Sequence, residues 1–94
     1  MPMSEVAYLV NITGRVTGVG FRYSVLDFAS DLPKLKGHIR NVGYGRVEAL
    51  VQGPEEDVDK MLCCLREGIG LARVENVQVF PMAPDSSREK FHIQ

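Results

Sequence analysis

The order of apolar patterns in this chain predicts an α+β domain with the succession β-α-β-β-α-β. Three observations carry that prediction. In residues 7–13 Tyr8, Val10 and Ile12 alternate with smaller or polar neighbours, and in 46–52 Val47, Ala49 and Val51 fall at every second position, the period of a half-buried strand. Apolar residues in 21–32 and in 53–68 recur at three- and four-residue intervals instead, as on one face of a helix. Only the short stretch VGYG (42–45) leads from the end of 38–42 into 46–52, which reads as a hairpin turn.

Taken in order, AYLVNIT (7–13) sets Tyr8, Val10 and Ile12 on one side of a first strand. A glycine-rich stretch follows. Val25, Phe28, Ala29 and Leu32 then mark a helix from about Phe21 to Leu32, ended by Pro33, whose ring disfavours helix at the preceding residue. Gly37 opens a second strand, HIRNV, and RVEALVQ forms the third through Val47, Ala49 and Val51. The second helix is well punctuated. Pro54 suits its first turn, Glu55, Glu56 and Asp57 favour its positive end, and Gly68 stops it. Its apolar stripe is Val58, Met61, Leu62 and Leu65. VENVQVF (74–80) makes the fourth strand, and KFHIQ adds a short C-terminal edge strand through Phe91 and Ile93. Two βαβ crossovers sharing a hairpin give a four-stranded antiparallel sheet with both helices on one face, the ferredoxin-like sandwich. That architecture hosts many functions, so it implies none by itself.

The chain of 94 residues, with no linker, repeat or low-complexity segment, reads as a single domain over 1–94. A net charge of −1 removes the global electrostatic case for nucleic acid or a membrane surface. No run reaches the roughly 18 apolar residues of a membrane span, and MPMSEVAYLVNI lacks the basic start of a signal peptide. Cys63 and Cys64 are adjacent in a helical pattern, where successive side chains diverge by about 100°, which argues for free thiols rather than a disulfide framework. A cytoplasmic monomer is expected. The thiols read as one core residue and one half-exposed neighbour. His38 and His92 lie far apart in sequence and read as surface residues, not a metal pair.

Residues 14–22 read GRVTGVGFR, three glycines and two arginines in nine positions. A Walker A loop fails, because no lysine follows Gly18 or Gly20, and GxGxxG fails for want of a glycine at 23. What remains is a strand–loop–helix junction whose successive amides can face an anion, with a helix N-terminus just beyond. Arg22, in the first helical turn, can fold its guanidinium fork over the same pocket. The plain alternative is a glycine-rich turn carrying two solvated arginines. Further along, GHIRN brings Asn41, whose neutral amide both donates and accepts, to the end of the second strand.

GRVTGVGFR, GHIRN and GRVEALVQGP together resemble the acylphosphatase family along almost the whole chain. The family's first signature runs Gly-x-Val-Gln-Gly-Val-x-Phe-Arg. Gly14, Val16, Gly18, Val19, Phe21 and Arg22 match it, with Thr17 where glutamine is usual. The second runs Gly-Trp/Tyr-Val-x-Asn, matched by Gly37 and Asn41, with His38 and Ile39 as departures. The resemblance implies metal-independent hydrolysis of acyl phosphates with no cofactor. Arg22 and Asn41 would be catalytic, and Arg15, Val16, Thr17, Gly18, Val19, Gly20, Phe21 and Arg22 would bind the substrate phosphate. Thr17 keeps the backbone N–H but loses the usual amide, so tuning rather than loss is expected. The connection DLPKLKG is one residue longer than the family's usual form. If that residue displaced the strand, Asn41 would turn to the other face. The alternative is a phosphate-binding module of the same fold without turnover. An RNA-recognition domain shares the topology but needs stacking aromatics on its central strands, and RVEALVQ has none.

Overall fold

The computed structural model describes residues 4–94. In chain order it contains β1 (Glu5–Arg15), α1 (Phe21–Ala29), β2 (Lys36–Gly43), β3 (Arg46–Pro54), α2 (Glu55–Glu67), β4 (Arg73–Met82) and β5 (His92–Ile93). The strands form one five-stranded sheet in the order β4-β1-β3-β2-β5. The first four strands pair antiparallel, as the sequence predicts, and β5 adds to the edge of β2 in parallel.

The core lies between one face of the sheet and the two helices. Val10 and Ile12 of β1, Ile39 of β2, and Val47, Ala49 and Val51 of β3 are buried there, at the period of two that a strand dictates. Phe21, Val25 and Ala29 of α1 and Val58, Met61 and Leu65 of α2 close over them.

The first helix is shorter than its apolar stripe suggests. Its regular bonding ends at Ala29, and Asp31 and Leu32 then donate to Phe28 and Ala29 at the tighter i→i+3 spacing. This turn keeps Leu32 against the core, so the apolar period outlasts the α-helix. The longer connection after it is absorbed before β2 begins. Gly37 pairs with Val51 and Asn41 with Val47, both core-facing positions of β3. A side chain at Gly37 would have its Cβ 1.8 Å from the Leu50 carbonyl oxygen, so only glycine allows this approach.

On the opposite sheet face, Gln52 is fully buried beneath the segment that follows β4. Its Nε2 donates to Glu5 Oε1 at 2.8 Å and to the Asp85 carbonyl at 3.0 Å. Its Oε1 accepts from the Asp85 amide at 3.0 Å and from Arg88. Every hydrogen-bonding site of this buried amide is thus used, which offsets its desolvation and fixes the route of the chain towards β5.

The two thiols face different environments. Cys64 is buried on the inner side of α2 and Cys63 is exposed. Burial, helped by the Glu67 carboxylate, pushes the Cys64 thiol up from 9.0 to about 11. Iodoacetamide at pH 8 should therefore modify Cys63 alone in the native protein and Cys64 only after unfolding. Mass spectrometry with and without denaturant checks this; rapid native labelling of both would refute it. Because the unfolded chain ionises Cys64 first, this thiol should lower stability as pH rises from about 9 to about 11.

Candidate active site

The loop between β1 and α1 is held at both ends by buried apolar side chains. Val16 and Phe21 reach the core, leaving Gly18 and Gly20 exposed between them. Gly18 and Gly20 adopt φ of +71° and +74°, a backbone region that disfavours other residues. Gly20 is also the N-cap of α1, with no side-chain cap.

The first helical hydrogen bond runs from the Ser24 amide to the Gly20 carbonyl, 2.9 Å. The amides of Phe21, Arg22 and Tyr23 therefore lack helical partners, at the end where the helix dipole is positive. A basic side chain stands beside them. Arg22 is half-buried and makes no ion pair with an Asp or Glu side chain among the described residues. Its Nη1 donates a long bond, 3.4 Å, to the main-chain oxygen of Gln94. That oxygen is in place because the last strand is laced to β2, with the Gln94 amide donating to Ile39 at 3.0 Å. The Arg22 guanidinium carbon also lies 5.8 Å from the centre of the Tyr23 ring.

Asn41 approaches from the other side. It shares the core-facing parity of Ile39 on β2 but stands at the strand's exposed end. A concavity of about 190 Å³ is lined by Val16, Thr17, Gly18, Gly20, Phe21, Arg22, Tyr23 and Asn41. Its walls contain one full charge, that of Arg22, and no carboxylate. The two sequence motifs, separated by a whole helix, thus meet in one basin.

The deciding comparison is with a family of known proteins. The acylphosphatase family model matches residues 8–93. This chain belongs to the acylphosphatase family. An acylphosphatase of Koribacter versatilis is 41% identical over 83 residues, covering 88% of this chain and 74% of that one. An acylphosphatase of Burkholderia cenocepacia is 40% identical, covering 93% and 88% respectively. The crystal structure of acylphosphatase from Bacillus subtilis superposes with a TM-score of 0.84 at 34% identity, over 95% of this chain and 98% of that one. Membership of the acylphosphatase family fixes the class of enzyme, a hydrolase acting on acid anhydrides.

Not every residue expected to bind phosphate lines the basin. Arg15 is exposed at the end of β1, opposite Arg73 on β4. Val19 is half-buried and packs against the core. Two features escape the sequence. Tyr23 forms part of the wall, though nothing in its spacing marks it. His38 and His92 are neighbours, 6.3 Å between ring centres, because β5 pairs in parallel with β2. They lie away from the basin, and no group of three His, Cys, Asp or Glu side chains among the described residues is arranged to hold a metal.

Proposed function

We propose that this acylphosphatase homologue hydrolyses the carboxyl–phosphate bond of acyl phosphates by direct attack of water on phosphorus, without a metal. The observation that carries the reading is the basin itself: loop and helix-end amides with Arg22 on one wall and Asn41 on the other. The loop amides and Arg22 hold the phosphoryl oxygens. Asn41 holds the water.

The chemistry asks for little else. The leaving group is a carboxylate, whose conjugate acid has a pKa near 4 by analogy with Glu, so it departs with its electron pair and no general acid. The water oxygen bonds to phosphorus as the bond to the acyl oxygen breaks, and the water's proton ends in solution. Phosphoryl transfer needs positioning and neutralisation of charge on the equatorial oxygens. Preorganised amides and a guanidinium supply the second, and the Asn41 amide the first, its oxygen accepting a hydrogen bond from the attacking water.

The test is release of phosphate from benzoyl phosphate with EDTA present. Turnover unchanged by EDTA, and inhibited competitively by inorganic phosphate, is the expected result. Bound phosphate without turnover would overturn hydrolysis and leave a binding module.

A further inference from the structure

Thr17 stands where the family's signature has glutamine, and the structure gives its hydroxyl a task. The Gly45 amide, in the turn between β2 and β3, donates to Thr17 Oγ1 at 3.2 Å. The carbonyl of the same residue accepts from the Gly14 amide at 3.1 Å. Gly45 is therefore gripped from both sides by residues flanking the start of the loop.

The position of this bond matters because the regular ladders give out there. Pairing of β1 with β3 ends at Thr13 opposite Arg46. Pairing of β2 with β3 becomes irregular between Asn41 and Gly43. The turn has little else to hold it, since Tyr44 is 97% exposed and Val42 is exposed too. The Thr17 bond spans from the loop that carries the amides to the hairpin that carries Asn41.

We propose that Thr17 is a positioning residue whose hydroxyl latches the 16–20 loop to the β2–β3 turn, setting the distance between a bound phosphoryl group and the water on Asn41. This rests on the hydrolytic reading above. A displacement of about 1 Å can cost on the order of 10² in rate, so a single bond at this place affects turnover more than affinity.

The experiment compares Thr17→Val, which keeps the shape and removes the hydroxyl, with Thr17→Ser, which keeps the hydroxyl. Benzoyl phosphate turnover, inhibition by inorganic phosphate, and exchange of the Gly45 amide by NMR are measured for each. Thr17→Val is expected to lose about tenfold in kcat while its phosphate inhibition constant moves less than about twofold and the Gly45 amide exchanges faster. Thr17→Ser should restore both rate and protection. A wild-type rate in Thr17→Val, equal impairment of Thr17→Ser, or affinity lost in step with kcat would each overturn the latch. Asn41→Ala measured in parallel separates the failures. A normal rate there defeats the water-holding role itself, whereas an inactive Asn41→Ala beside a normal Thr17→Val defeats only the latch.

Discussion

Asn41→Ala should lower kcat by about 10²–10³, the typical cost of losing one preorganised transition-state group, while inorganic phosphate binds within about twofold of its wild-type affinity. The split follows from the two walls of the basin. In the proposed mechanism the phosphoryl oxygens meet the loop amides and Arg22, which the substitution leaves alone, and only the water loses its partner. The fold should not notice. Asn41 is exposed at the end of β2, and its side chain makes no hydrogen bond to another described residue. Truncation therefore strands no buried polar group, and stability should change by less than about 0.5 kcal/mol. Steady-state kinetics, phosphate titration and a thermal melt on one preparation check all three. Full turnover in the variant would mean that the water is held elsewhere.

Arg22→Ala should fail differently, losing affinity as well as rate. A hydrogen bond to a charged partner contributes about 1.5–3 kcal/mol, so phosphate affinity should fall roughly tenfold to a hundredfold, and kcat with it. Among the residues lining the basin Arg22 carries the one full charge, so no neighbour can substitute for it. Its bond to the Gln94 oxygen is long, 3.4 Å, and near the limit of useful geometry, so its loss should barely affect folding. Arg22→Lys should recover only part of the affinity, since an ammonium restores the charge but not the planar fork. Phosphate binding by calorimetry separates the three proteins. Unchanged affinity in Arg22→Ala would place the anion outside the basin.

What is legible in the sequence is what periodicity and local punctuation encode. The stripe Val58, Met61, Leu62 and Leu65 is buried on α2 as its spacing requires. The end of α1 is misread because apolar spacing reports which side chains face the core, and Leu32 faces it from a tighter turn. Gln52 occupies an outward strand position by parity. Its burial comes from a covering segment, residues 83–89, that has no period to read. The His38–His92 contact depends on the direction of β5, which a two-residue strand does not reveal. Motifs point to Asn41 and Arg22, but their meeting depends on β2 keeping its register past a longer connection. No local pattern reports that. The Thr17–Gly45 bond is similarly silent, because it joins residues 28 apart across two strands.

In the proposed reaction, water held opposite the 16–20 loop attacks phosphorus. Benzoyl phosphate hydrolysed by the protein in ¹⁸O-labelled water with EDTA tests it most directly. The heavy oxygen should appear in the inorganic phosphate and not in the benzoate, at a rate that EDTA leaves unchanged. Label in the benzoate would mean attack at the acyl carbon, and the roles of Arg22 in holding phosphate and of Asn41 in holding water would fall with it.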